Sequence, residues 1–532
     1  MYQKRSYSKR NTYAAKPIVP QNELSASFAP SELQSAIAVA VDKFRDSIMV
    51  QATAGSGKTT TLLYLFRILQ GKDVVFLAFG KAIAEELKTR VPQWAIDRVF
   101  TLHSYCFRIL ASVHKNLRFK VEAHNTYNIF SSIIPDGTPR KANICYAGER
   151  IVSMAKDTLC DINNIDDVRA MMVERELDAN GDGEFALTVW DAACAEMNRR
   201  YERGIIDFSD MIWRPIIENI IVPKVEVILA DEIQDFNPAQ IEMTRRMIGR
   251  GARFIGVGDT DQSIFGFRGA DVEAWDKLII ASRAKEMPLS ISYRLPQTHV
   301  ELAQSIVGAE RIQARPNAPI GTINYDLNLD QLFDNGIMVA DTLALCRINA
   351  PLISVAYAAM RRSVPVMIRG NDIGRGLRNM IEKLSATSVV DLIEKVNIYR
   401  ENEIAKLTAI KASQMRISAL SDKCDTIIAL TEGMNTVDQI LNQIDVVFRD
   451  TDGKGFLVLS SVHRAKGLEA NTVVILKPSK LPLSRKDMSE KDMIQERNLQ
   501  FVAYTRSRDK LYFEKEVTSA KMPQNETEAN MT

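Results

Sequence analysis

Lys58 and Thr59 close a short run, Gln51 to Thr60 (QATAGSGKTT), whose residue types suit the binding of a phosphate chain. A Gly-rich turn between an apolar strand and a helix aims several backbone N–H groups into one small space, and the helix N-terminus adds partial positive charge there. In such a turn Ala52, Thr53, Ala54, Gly55, Ser56, Gly57 and Thr60 supply the backbone cradle. Lys58 reaches the β- and γ-phosphates, and the Thr59 hydroxyl binds Mg²⁺. The usual pattern, G-x-x-x-x-G-K-[ST], is missed by one methyl group, because its first position is Ala52.

A second constellation ends the apolar run VEVILA. Asp231 and Glu232 are adjacent carboxylates at the carboxyl end of a predicted parallel strand, where such sheets bind ligands. Asp231 is expected to hold Mg²⁺ through water, and Glu232 to orient or deprotonate an attacking water. The next predicted strand, RFIGVG, leads into DTDQSIFGFRGAD. There the amide of Gln262 can bond a terminal phosphate or the water beside it. Phe265, Phe267 and Arg268 follow; rings beside a guanidinium make a platform for unstacked bases. Core packing accounts for both rings equally well from spacing alone.

These groups need strands and helices to carry them. Apolar runs at 47–50, 74–79, 225–230, 253–258 and 289–293 read as buried strands, and helical periodicity lies between them. A second set follows at 336–346, 364–368, 455–460, 472–476 and 510–513. Alternating strands and helices argue for parallel sheets with helices on both faces. Two stretches break the alternation and read as helical inserts. The expected layout is a basic arm (1–25), a first α/β domain (26–111 and 204–288) with a helical insert (112–203), a second α/β domain (289–370 and 451–517) with a small helical insert (371–450), and a polar tail (518–532). The arm carries Lys4, Arg5, Lys9, Arg10 and Lys16 before the first acidic residue, Glu23, and reads as a disordered, solvated segment.

Composition narrows the class. A chain of 532 residues, 46% hydrophobic and 25% charged, fits a globular protein of several domains. A net charge of +2 neither demands nor excludes nucleic acid, since a local groove matters more than the total. None of the six cysteines forms a C-x-x-C pair, so zinc ribbons and iron–sulfur clusters are not indicated, and a reducing compartment is expected. No run is apolar enough for a bilayer span or a secretory leader, and a cytoplasmic setting follows as the expectation (nuclear in a eukaryote).

Taken in order, SELQSAI, ATAGSGKT, LAFGKAIAEEL, TLHSY, IDFSDMIW, LADEIQD, GDTDQSIFGFRGAD, SYR, SSVHRAKGLE and QERNLQFVAYTRSRDKL resemble the motif series of superfamily 1 DNA helicases of the UvrD/Rep/PcrA type, with some likeness to the F-box DNA helicase branch. The resemblance runs from about 31 to 513, and in this family Ala is common at the first P-loop position. It implies two RecA-like P-loop domains, each with a helical insertion, and ATP with Mg²⁺ as cofactors. It also implies a single-stranded DNA track, action at single-strand/duplex junctions, and 3′-to-5′ movement.

Residue by residue, the resemblance makes Gln34 the adenine-reading amide, Tyr293 the ring stacked on adenine, and Glu469 the ribose ligand. Arg294 becomes a γ-phosphate contact and Arg506 an arginine finger from the second domain. Phe79, Thr101, His103, Ser104, Phe267, Ser461 and His463 match positions lining the single-strand track. Ser292 stands where the family often has Asn, and Phe267 where it often has Trp. Rival readings are a translocase that strips proteins from single strands without robust unwinding, and an ATP-gated DNA-binding subunit that moves nothing.

Overall fold

The computed structural model describes residues 29–516 apart from 176, 178–180, 267–268, 410–413, 450–452 and 485–487. The expected basic arm and polar tail lie outside the described residues, as do Phe267 and Arg268.

The first sheet has six strands: β1 (Ile48–Ala52), β2 (Val74–Ala78), β3 (Val99–Thr101), β4 (Val227–Ala230), β5 (Arg253–Gly258) and β6 (Lys285–Leu289). Their order is β3-β2-β4-β5-β1-β6, and every pairing is parallel. β2 shows why the sheet needs cover on both sides. Val74, Phe76 and Ala78 enter one core with Leu62, Leu65 and Phe66 of the helix Lys58–Ile68. Val75 and Leu77 enter the opposite core with Ile109, Ile212 and Met243. Alternate residues of a strand face opposite sides, so a strand buried on both faces is apolar throughout.

The second sheet has seven strands: β7 (Thr322–Asn324), β8 (Leu343–Cys346), β9 (Val366–Arg369), β10 (Phe448–Arg449), β11 (Leu457–Ser461), β12 (Ala470–Leu476) and β13 (Ser507–Phe513). The order is β7-β13-β12-β8-β11-β9-β10, again all parallel. Two parallel sheets with helices on their faces are the architecture that the strand–helix alternation predicts.

Some expected strands differ. The run 289–293 is split: Leu289 ends β6 of the first sheet, and Ile291–Ser292 pairs separately with Gln313–Ala314. The run 336–346 is a strand only from Leu343. Before it, Gly336 and Asp341 adopt φ of 65° and 66°, left-handed conformations that end a helix and turn the chain.

The first insert carries helices between Asn125 and Glu202 around a core of its own, with Phe130, Ile151 and Trp190. Where it meets the start of the helix Asp210–Ile217, the Lys156 ammonium, 1% exposed, bonds Asp207 at 2.6 Å and Asp210 at 2.8 Å. The second insert, with helices from Asn371 to Val447, is built differently. Its Leu392, Val396, Ile427, Ile440 and Ile444 share one continuous core with Ala344, Cys346, Leu457 and Leu459 of the second sheet.

Candidate active site

The P-loop turns on two glycines held at φ +73° (Gly55) and +82° (Gly57), the region that favours glycine. A Cβ on Gly55 would lie 2.5 Å from Arg294 Cβ and 2.8 Å from Ser292 Oγ. The SYR segment therefore backs directly on the loop: Tyr293 N–H donates to Gly55 O at 2.9 Å, and Thr53 N–H to Leu289 O at 3.1 Å. The small hydroxyl of Ser292 fits that approach. Ala54 is buried with Leu295, Val300 and Phe501, and Ser56 closes the turn by donating its hydroxyl to Thr53 O at 2.8 Å. Lys58, Thr59 and Thr60 form the first turn of the following helix. Gln34 lies beside Gly57, whose Cβ would sit 3.3 Å from Gln34 Nε2. Its amide already caps its own helix, accepting from Ser31 N–H, and donates to Thr61 Oγ1 at 3.0 Å.

β4 delivers Asp231, 2% exposed, and Glu232 to the P-loop. Glu232 adopts φ 52°, a left-handed conformation that costs a non-glycine residue roughly 1–2 kcal/mol. It brings Glu232 Oε1 to 3.3 Å from Lys58 Nζ. Two neighbouring buried carboxylates do not both ionise readily. Asp231 is pushed up, by burial first and by the charge of Glu232 second. Burial opposes ionisation of Glu232 too, but the ammonium groups of Lys58 and Lys466 outweigh it and hold Glu232 down. Lys58 itself is raised, because the carboxylates of Glu232, Asp259 and Asp231 outweigh its burial.

β5 delivers Asp259, buried and pushed up to about 6, chiefly by burial. Its carboxylate accepts from Gln262 Nε2 at 2.6 Å, which leaves Gln262 Oε1 to face the second domain. There it accepts from Arg506 Nη2 at 3.2 Å. Arg506 is 2% exposed, and no carboxylate lies within ion-pairing distance of it among the described residues. Its remaining bonds go to its own domain: Nε to Val502 O at 2.8 Å, Nη1 to Leu468 O at 3.4 Å and Nη2 to Thr505 Oγ1 at 3.0 Å. Burial first, and the neighbouring Arg294 charge second, push its pKa down to about 9, so it is still charged at neutral pH. Arg294 and Arg508 both pair with Glu469, whose pKa is lowered as their charges overcome its burial. Tyr293, next in the chain to Arg294, is 45% exposed.

Sequence reasoning missed Lys466. Its ammonium crosses between the domains, pairing with Asp235 and donating to Gln262 O at 2.8 Å. The signal was present in VHRAKGLE, but a lysine alone does not reveal a partner more than two hundred positions away. Asp235, pushed up to about 6 by burial, is part of the same contact.

The expected track residues gather at the carboxyl ends of both sheets. Phe79 follows β2, and Thr101 ends β3. Ser461 ends β11 in register with Cys346, with His463 in the next turn. Thr101 and Ser104 exchange bonds as a capping box on the helix Leu102–Val113. His103 is half-buried, and burial lowers its pKa. Phe79 is half-buried against the core of Val75 and Leu77, and Phe265 packs on a core of the second sheet with Leu345, Val462 and Val473, with Lys466 Nζ 5.1 Å from its ring centroid. For Phe265 this is the core-packing alternative. Phe208, which the sequence reading passed over, exposes 55% of its surface.

The residues present suit a nucleoside triphosphate with one Mg²⁺. The two left-handed glycines open the cradle, and a phosphate-bound Mg²⁺ takes only one or two oxygens from a protein, which the Thr59 hydroxyl and the Asp231 carboxylate would supply. Among the described residues no group of three or more His, Cys, Asp or Glu side chains forms a separate metal cage.

Comparison with known proteins fits this geometry. Residues 33–279 match the family profile of the UvrD/REP helicase N-terminal domain, and residues 377–517 that of the UvrD-like helicase C-terminal domain. The chain belongs to the UvrD/REP helicase family. It is 25% identical over 282 residues to a probable DNA helicase of Mycoplasma pneumoniae, a match covering 49% of this chain and 53% of that relative. It is 28% identical over 301 residues to the ATP-dependent DNA helicase PcrA of Staphylococcus aureus, covering 50% and 39%. With the ATP-dependent DNA helicase UvrD1 of Mycobacterium leprae it shares 26% identity over 300 residues, covering 49% and 37%. The chain spans about half the length, or less, of these relatives. Among the described residues no helix is long and apolar enough to cross a membrane.

Proposed function

We propose that this helicase-family chain is an ATP-driven motor on single-stranded DNA, moving 3′-to-5′ and opening duplex at single-strand junctions. The observation that carries the reading is Arg506, a buried cation without a carboxylate partner, held against Gln262 of the other domain. Burying an uncompensated charge costs several kcal/mol. A fold keeps such a group where an anion is to be met.

ATP with Mg²⁺, when bound, supplies the phosphoryl group to be transferred. Lys58 would exchange Glu232 for phosphate oxygens, and Glu232, relieved of that charge, would gain basicity and accept a proton from the attacking water. Thr59 and Asp231 would hold the metal. Arg506 and Arg294 would face the charge developing on the γ-phosphoryl oxygens, with Gln262 oriented by Asp259. Tyr293, Gln34 and Glu469 would hold the nucleoside. Closure and opening of the contact between the domains would shift the grip of Phe79, Thr101, His103, Ser104, Ser461 and His463 on a strand, with base stacking assigned to Phe267 beside Arg268.

Strand displacement on 3′-tailed, 5′-tailed and blunt duplexes tests activity and polarity together; displacement of the 5′-tailed duplex alone contradicts the reading. A protein-stripping translocase is the second reading, favoured by the small second insert and its shared core with the second domain. Protein-coated single strands run beside tailed duplexes separate the two.

A further inference from the structure

The turn Thr260–Gln262 carries the side chain that meets Arg506, yet two of its neighbours face a different set of groups. Asp261 accepts from Arg311 Nε at 2.8 Å and from Arg497 Nη2 at 3.0 Å. Asn498 sits beside Arg497 on the helix Glu490–Tyr504 and is 1% exposed. Its Nδ2 donates to Thr260 O at 3.1 Å and to Ser263 O at 3.0 Å, the carbonyls on either side of Asp261 and Gln262. Arg506 follows the same helix by two residues and is tied back to it through Val502 O.

From this we infer that Asn498, assisted by Asp261, is a positioning residue for ATP hydrolysis: it joins the turn bearing Gln262 to the helix that leads into Arg506, so the two groups approach the nucleotide as one body. The inference rests on the ATPase reading above and adds residues that touch no reacting atom. Exposure ranks the two. Arg497 and Arg311 leave 45% and 30% of their side chains in solvent, so their ion pairs with Asp261 are screened. Asn498 itself is 1% exposed, and its amide nitrogen makes both of its bonds to the turn. Asn498 therefore dominates.

A residue that acts through Gln262 loses its influence when Gln262 is absent. The test is steady-state DNA-stimulated ATP hydrolysis by the full chain, in the parent and in Asn498→Ala, each with and without Gln262→Ala. In the parent background Asn498→Ala lowers kcat roughly tenfold, the effect of losing two neutral hydrogen bonds, with KM for ATP within about twofold. In the Gln262→Ala background it lowers kcat by less than about twofold. Asp261→Asn, which keeps the shape and loses the charge, gives a smaller kcat loss with the same dependence on Gln262, and carries the test if Asn498→Ala does not fold. An equal loss in both backgrounds, an unchanged kcat, or a rise in KM matching the fall in kcat overturns the inference. A parent chain that turns over no ATP overturns the underlying reading as well; an active parent with an indifferent Asn498→Ala overturns the inference alone.

Discussion

Arg506→Ala, Gln262→Ala and the double variant form a cycle that measures the contact between the two domains. The bond from Arg506 Nη2 to Gln262 Oε1 is 3.2 Å long, buried, and has a charged donor. Such a bond contributes about 1.5–3 kcal/mol, or roughly 10- to 150-fold in rate if it is complete in the transition state. The geometry makes the cycle clean, because Arg506 is fastened to its own domain by Val502 O, Leu468 O and Thr505 Oγ1. Removing Gln262 should leave the guanidinium in place. Arg506→Ala alone is expected to lower DNA-stimulated kcat by roughly a hundredfold or more, since arginine fingers are worth about 10³–10⁵. The double variant should be only slightly slower than Arg506→Ala. Nucleotide affinity, followed by equilibrium binding of a non-hydrolysable ATP analogue, should change less than about threefold for Arg506→Ala. Additivity of the two kcat losses to within about 0.5 kcal/mol refutes the reasoning. So does a loss of affinity as large as the loss of rate, which would make Arg506 a nucleotide-holding group only.

Three further outcomes are expected. Gly55→Ala places a Cβ 2.5 Å from Arg294 Cβ at φ +73°, which should lower Tm and weaken ATP binding at least tenfold, from roughly 1–2 kcal/mol of backbone strain and about 1–3 of overpacking; parent-like thermal melts and binding contradict it. Asp157 is pushed up to about 6, by burial first and by the Asp207 charge, against a bond from Ser209. A raised carboxyl contributes most below its unfolded pKa of about 4, and its contribution falls as pH climbs to about 6. Asp157→Asn, a mimic of the protonated form, should therefore stabilise the chain by about 1–2 kcal/mol near pH 7.5 and hardly at all near pH 4, as read by urea unfolding; an equal effect at both pH values refutes this. Tyr293→Ala should raise KM for ATP roughly tenfold with kcat nearly kept, since ring stacking is worth about 1–3 kcal/mol; a kcat loss at constant KM in steady-state turnover contradicts the stacking role.

The parts of the chain legible in the sequence were those whose physics is local. A strand buried on both faces, such as Val74–Ala78, is apolar at every position, so it announces itself. The P-loop is equally plain, because its function is made from consecutive backbone groups. Edge strands were harder. Lys285–Leu289 reads KEMPL, with two charges and Pro288, and it is tolerated only because it pairs on one side, with β1. Phe448–Arg449, two residues at the opposite edge of the second sheet, gives no periodicity to detect.

The site divides in the same way. Lys58, Asp231 and Gln262 could be proposed from the turns that carry them. Lys466 and Asn498 could not, because their meaning is a contact with Asp235 or with the carbonyls of Thr260 and Ser263, over two hundred residues earlier. The ion pairs of Glu469 with Arg294 and Arg508 are likewise visible only once the two separate stretches of the second domain are folded together.

Stopped-flow translocation on single strands of increasing length, labelled at the 5′ end, tests most directly whether ATP hydrolysis between the sheets drives movement. The account predicts an arrival time that lengthens in proportion to strand length, requires ATP, and disappears in Arg506→Ala while DNA binding persists. ATP turnover with an arrival signal independent of length would contradict it.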